Sequence, residues 1–202
     1  MGFYNRPDDH HDRLHRPQQT KEPMRPTHLF AFTGRKGHGK STAAGILQDH
    51  PSLPKPVLRM SFAAPIKAMC REILPLGADL PENKENPAYG LLGVSPRRIW
   101  QTLGTEWGRD LIHPDLWVEI VRRQLNTTTA KTIIFDDCRF VNEAEMIHEL
   151  GGKVIKVERY DAAAILDEHV SEKQLPEDLV DFTIRNGTSM DYLKGQLDAL
   201  VA

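Results

Sequence analysis

The sequence predicts an α/β fold, a parallel sheet covered on both faces by helices, and three observations carry that reading. Short, wholly apolar runs recur, as in Leu29-Phe30-Ala31-Phe32 and Ile133-Ile134-Phe135, which is how strands buried on both faces read. Stretches with helical spacing alternate with these runs, which implies right-handed crossovers and a ligand site at the carboxyl ends of the strands. A glycine-rich loop follows the first apolar run and opens the first helix.

Residues 1–26 come first. They hold Pro7, Pro17, Pro23 and Pro26, three histidines, and five Lys or Arg against four Asp or Glu, too little apolar surface to pack. This tail is expected to be disordered and dispensable, with a partner-binding arm as the alternative. The domain proper is expected over 27–202. Its first strand is 29–33, and its first helix starts at Ser41. A second strand covers 57–61, and Pro65 marks the first turn of the helix after it. Ser95-Pro96 opens another helix in the same way, with Ile99, Leu103 and Trp107 at i, i+4 and i+8 as its apolar stripe. A helix over 114–125, a strand over 132–135 and a helix over 142–150 follow, the last stopped by Gly151-Gly152. Strands over 153–158 and 181–185 bring the sheet to five. A final helix carries Leu193, Leu197 and Leu200 on one face.

Composition narrows the function. With 202 residues, 40% hydrophobic and 27% charged, the chain suits one globular domain. A formal charge of −2 supplies no field to draw in a nucleic acid or an anionic membrane. No apolar run is long enough to span a bilayer, and the N-terminus lacks the apolar stretch of a secretory signal. Cys70 and Cys138 are too few and too far apart for a disulfide framework or a metal pattern, and the other histidines lack metal-ligand spacing. The expectation is a cytoplasmic protein that works on small molecules.

The segment Gly34-Arg35-Lys36-Gly37-His38-Gly39-Lys40-Ser41 is a complete phosphate-cradling loop. Its glycines let successive backbone N–H groups converge on nucleotide phosphates at a helix start. Lys40 supplies a point charge to the terminal phosphates, and the Ser41 hydroxyl is the ligand such a loop offers to Mg²⁺. The ATP-binding set expected is therefore Arg35, Lys36, Gly37, His38, Gly39, Lys40, Ser41 and Thr42. A guanine-specific switch is not expected, because Asn83-Lys84-Glu85-Asn86 lacks the aspartate of the motif such proteins use and precedes a proline. Asp136-Asp137 at the end of a buried strand resembles the paired acids of motor ATPases only superficially. Cys138-Arg139 follows and sets a cation where an acceptor phosphate belongs, which suits a small kinase.

Four segments in order resemble the phage deoxynucleoside monophosphate kinases, a branch of the P-loop nucleoside monophosphate kinase superfamily. They are 62–67, Phe62-Ala63-Ala64-Pro65-Ile66-Lys67; 97–106 with Trp117-Val118 after it; 133–143, Ile133 to Glu143, continuing to Gly151-Gly152; and His169-Val170-Ser171-Glu172 with Asp181 and Ile184-Arg185-Asn186-Gly187-Thr188. The resemblance implies a three-layer P-loop kinase fold with a helical substrate-binding part over about 62–125 and a lid over about 159–170. It implies transfer of the ATP γ-phosphate, with Mg²⁺, to a (deoxy)nucleoside monophosphate, supporting nucleotide supply for DNA synthesis. The partners implied are ATP and a nucleoside monophosphate, with no membrane and no directly bound nucleic acid, in the host cytoplasm for a phage protein; a homodimer is left open. A kinase of another small acceptor, such as dephospho-coenzyme A, and a non-catalytic nucleotide-binding module are the alternatives.

An acceptor monophosphate must be held in line with the γ-phosphate, and cations of fixed geometry do that best. Lys67, Arg98 and Arg139 are the candidates, with Lys40, Asp137 and Arg139 as the catalytic set. Asp137 is read as positioning Mg²⁺ water or the acceptor, against a structural cap. Gly104-Thr105 either lets backbone approach the acceptor or simply caps a helix. Trp117 either stacks on the base or packs, whereas Trp107 is expected in the core. Glu143 faces the base or sugar, or serves the helix dipole. The lid has no Arg or Lys between Tyr160 and Glu168, so charge there falls on Arg159, with His169 either touching a phosphate or solvated. Asn186-Gly187-Thr188 borders the donor adenine or forms a plain turn.

Overall fold

The structure, a computed structural model, describes residues 26–159, 174–187 and 189–201. Five strands, β1 (His28–Thr33), β2 (Val57–Met60), β3 (Thr132–Phe135), β4 (Lys153–Arg159) and β5 (Phe182–Asn186), form one sheet in the order β2-β3-β1-β4-β5. Every pairing is parallel, with Leu29 opposite Ile133 and Ala31 opposite both Phe135 and Val154. The order of the strands reverses at β1, so the loop leaving β1 opens at the switch point where such sheets bind ligands.

The apolar runs of β1 and β3 alternate between two cores, which is why these strands show no polar face. Leu29 and Ala31 join Ile133, Phe135 and Val154 on the face covered by α4 (Leu116–Leu125) and α5 (Val141–Glu149). Phe30 and Phe32 join Ile134, Ile155 and Ile184 on the face covered by α1 (Lys40–Gln48) and α6 (Met190–Val201), where Leu193, Leu197 and Leu200 are buried as their spacing predicts. Each such side chain contributes about 1.5–3 kcal/mol when fully buried. Between β2 and β3 lies a helical part containing α2 (Ala64–Cys70) and α3 (Pro96–Thr102), with a small core of Cys70, Leu74 and Ala78 against Ile99, Trp100 and Leu103. Ser95 caps α3 by accepting from Arg98 N–H at 3.4 Å, and Pro96 takes the first turn, as the sequence implies.

One expectation fails here. The chain does not continue as an α-helix past Thr102 but winds into a π-helix over Leu103–Ile112. Gly104 and Gly108 explain why the backbone can come so close to its neighbours: a Cβ on Gly108 would lie 2.5 Å from the Trp117 ring, and one on Gly104 2.9 Å from Ile66. The Trp117 indole N–H donates to Gly104 O at 2.7 Å, fixing the π turn to α4. An i→i+5 winding holds more residues per turn, so the Ile99-Leu103-Trp107 stripe loses phase. Trp107 ends 38% exposed rather than in the core, and Arg109 is buried instead. Cys70 and Cys138 are free and buried. Among the described residues no helix is long and apolar enough to cross a membrane.

Candidate active site

The phosphate loop is clamped from two sides. Gly34, Gly37 and Gly39 all have positive φ, at 128°, 83° and 94°, a region other residues rarely enter. A Cβ at Gly34 would collide with Val157 O of β4, and one at Gly39 with the Asn186 amide of β5. That amide donates to His38 O at 3.0 Å, and the His38 ring lies 3.2 Å from Val157 O through Nδ1. Asn186 thus works on the loop's backbone. Lys40 folds over the loop and donates to Gly34 O at 2.6 Å and Arg35 O at 2.9 Å, which fixes its ammonium above the turn. Ser41 and Thr42 follow in the first turn of α1 with exposed side chains.

Beside the loop runs a cleft of about 330 Å³, lined by Lys36, Gly37, Lys40 and Ser41 on one wall. The other walls bring together residues that the sequence spreads over 61–143. Lys67 comes from α2, with its amine 5.7 Å above the Trp100 ring. Gly104, Thr105 and Trp117 line the cleft as well, as do Asp137, Arg139 and Glu143. Asp137 accepts from Ser61 Oγ at 2.6 Å and from the N–H groups of Phe62 and Ala63 at 2.9 Å each. Both its oxygens are thereby engaged, and they hold the turn that launches α2 against the end of β3. Asp136, next to it, is paired with Arg59 of β2.

Glu143 sits in the first turn of α5 and is only 2% exposed. One oxygen accepts from Arg109 at 2.5 Å, and the other accepts from Arg139 N–H at 2.8 Å and Phe140 N–H at 3.1 Å. Burial pushes its pKa up to about 7, against the pull of Arg109 and the two backbone donors and with a further push from Asp137. Arg109 also donates to Pro114 O at 3.1 Å, and its guanidinium lies 3.7 Å over the Phe140 ring. Glu143 therefore orients the Arg139 backbone and Phe140 by way of protein partners, and the π-helix delivers the cation that permits its burial.

Several expected residues stand elsewhere. Arg98 does not line the cleft; its side chain is 56% exposed and lies 3.5 Å from Glu106. Its neighbour Arg97 lines the cleft in its place, because one residue along a helix rotates the side chain to another face. Trp117 reaches the cleft only as wall: it is 1% exposed, so its rings are packed and present no open face for stacking. Arg159 and Arg35 line a separate hollow of about 220 Å³ on the other flank of the loop, with His38 and Lys156. His169, Thr188, residues 1–25 of the tail and 160–170 of the lid lie outside the described residues.

Residues that the sequence reading passed over are as informative. Lys84, Arg97, Gln101, Arg109 and Phe140 all line the cleft. The Lys84 ammonium is depressed by burial and by the neighbouring Lys67 and Arg97, the signature of crowded cations facing a space that suits an anion. The Ser95 cap marks where α3 starts, but packing decides which of its faces meets the cleft, so Arg97 is not distinguished from Arg98 by sequence, and the burial of Arg109 depends on the π winding. For a divalent cation, Ser41 and Asp136 offer oxygen ligands in the cleft, and Mg²⁺ needs only one or two from protein when it arrives with phosphate. Among the described residues no group of three or more His, Cys, Asp or Glu is placed to hold a metal.

The family model described as deoxynucleotide monophosphate kinase matches residues 82–197. A protein of Acanthamoeba polyphaga mimivirus, provisionally named a deoxynucleotide monophosphate kinase, is 33% identical over 162 residues, covering 73% of this chain and 81% of its own. The deoxynucleoside-5'-monophosphate kinase of Escherichia phage T5 is 38% identical over 68 residues, which are 34% of this chain and 27% of that one. The crystal structure of TT1252 from Thermus thermophilus superposes with a TM-score of 0.48 at 19% identity, over 87% of this chain and 97% of the other. Through the model match and the mimivirus relative together, the chain belongs to the deoxynucleotide monophosphate kinase family.

Proposed function

We propose that this cleft transfers the γ-phosphate of ATP to a deoxynucleoside monophosphate, giving the diphosphate and ADP. The observation that carries this reading is the arrangement of charge: Lys40 and Ser41 of the loop share one cleft with Lys67, Lys84, Arg97 and Arg139 from four other segments. A single donor phosphate group does not need that many cations. Two phosphate-bearing ligands brought together in line do.

In this reading the loop's N–H groups and Lys40 hold the donor phosphates, and Lys67, Lys84, Arg97 and Arg139 take the acceptor phosphate. An acceptor monophosphate oxygen is already a competent nucleophile near neutral pH, so no general base is required. Asp137 fixes the turn that sets Lys67 against Arg139, and Glu143 with Arg109 fixes the backbone of Arg139. Ser41 and Asp136 would hold Mg²⁺, which supplies neutralisation of the donor phosphate oxygens. The neutral wall of Gln101, Gly104, Thr105 and Phe140 suits the sugar and base. Arg159, beyond the cleft, is assigned to the donor side of the loop. ATP and monophosphates being cytoplasmic metabolites, the cytoplasm is the compartment this reading implies.

A turnover panel tests it: each deoxy- and ribonucleoside monophosphate, and dephospho-coenzyme A, is supplied with ATP-Mg²⁺ and ADP release is followed. Diphosphate from at least one deoxynucleoside monophosphate is the expected result. Turnover of dephospho-coenzyme A alone, or ATP consumption indifferent to every acceptor, would overturn it.

A further inference from the structure

Glu85 joins the two walls of the cleft. Its carboxylate meets Lys36 Nζ of the phosphate loop and also Arg97 Nε, at 2.5 Å, in the first turn of α3. Both cations line the cleft. The backbone bearing Glu85 is itself tied to α3, since Arg97 N–H donates to Lys84 O at 2.9 Å. Burial raises the Glu85 pKa, but Lys36 and Arg97 together outweigh it and hold the carboxyl below its ordinary range. The group is an anion at neutral pH, seated between a donor-side and an acceptor-side cation.

We infer that Glu85 is a positioning residue for the transfer, a tie between the phosphate loop and the acceptor helix that also serves as the counter-ion an incoming phosphate must draw away from Lys36 and Arg97. This rests on the phosphoryl-transfer reading of the same cleft. Two opposed consequences follow. The carboxylate competes with phosphate for its cations, so its presence weakens binding of the substrates in their ground state. It also fixes the spacing between loop and helix, so its presence aligns the two reacting phosphates. A salt bridge serving only stability would produce neither effect, and exposed pairs of this kind contribute little to stability.

The experiment compares steady-state constants of the full-length wild type with Glu85→Gln, Glu85→Asp, Lys36→Gln and the Lys36→Gln/Glu85→Gln double variant, using ATP-Mg²⁺ and the best deoxynucleoside monophosphate. Glu85→Gln is expected to lower KM for the monophosphate by about threefold, the scale of one partly exposed ion pair. It is expected to lower kcat by about tenfold through lost alignment. Glu85→Asp, which keeps the charge, recovers part of kcat, and the double variant turns over no more slowly than Lys36→Gln alone because the two residues share one tie. Both constants within twofold of wild type in Glu85→Gln, a raised KM, or multiplicative losses in the double variant would overturn the inference. Should Glu85→Gln not fold, Glu85→Asp carries the test with the same directions at smaller amplitude. A wild type inactive on every monophosphate sinks the proposed function itself; an active wild type with an unchanged Glu85→Gln sinks this inference alone.

Discussion

The two walls of the cleft that we assign to donor and to acceptor are built from opposite kinds of information. The donor wall is eight consecutive residues, Gly34 to Ser41, running from the end of β1 into the first turn of α1, and its requirements are local: glycines where φ is positive, a lysine and a serine where the helix begins. The acceptor wall draws Lys67, Lys84, Arg97, Arg109 and Arg139 from separated segments, and each one depends on how a neighbouring element packs. A charge can be read as functional from sequence when the backbone beneath it is specified by its own neighbours in the chain. When the backbone is specified by tertiary packing, the adjacent residue is as good a guess, as Arg97 and Arg98 demonstrate.

The sharpest test of the donor wall is Lys40→Ala. Loss of a charge aimed at the transferring group is expected to lower kcat by about 10³-fold, with thermal unfolding near that of wild type. Activity within tenfold of wild type would mean that the phosphate loop does not hold the donor.

On the acceptor side, the largest effect should come from Arg109→Ala, which leaves Glu143 buried without its cation. A loss of about 3 kcal/mol in unfolding free energy is expected at pH 8, read from denaturant titration, and a smaller loss at pH 5, where a proton on Glu143 removes the charge. Equal losses at both pH values would show that Arg109 acts by packing alone.

Glu143 itself makes a pH-dependent contribution whose sign follows from its pKa, raised to about 7 by burial. The folded state keeps the proton to higher pH than the unfolded chain does. Stability from this group is therefore complete below the ordinary carboxyl range and is lost as pH rises through about 7. Wild type minus Glu143→Gln should decline across that window by at most about 3 kcal/mol, and a flat difference would contradict a raised pKa.

The smallest contrast is the most pointed one. Arg97→Ala is expected to raise KM for the monophosphate by about tenfold, the scale of a charge-assisted contact, whereas Arg98→Ala stays within about twofold. The reverse ranking would return the acceptor role to Arg98.

How much was legible can be judged from particular elements. β1 and β3 were marked by apolar runs that alternate between two cores, and α3 by Ser95-Pro96. Lys67, Asp137 and Arg139 were located by the chemistry they carry at strand and helix ends. Arg109 and Trp107 were not, because a π-helix breaks the periodicity by which a helical face is recognised. Trp117 was read as able to stack or to pack, and only Gly104 and Gly108 pressed against it decide that it packs.

The strands, the helices and the phosphate loop were legible in the amino-acid sequence because each is written in a short stretch of chain, and the order of the motifs along it pointed to the kind of reaction. Packing settled which further cations join Lys67 and Arg139 in lining the cleft, which aromatic is enclosed and which carboxylate is paired. Those outcomes turn on the phase of one helix and on partners tens of residues away, a coupling that no local pattern encodes.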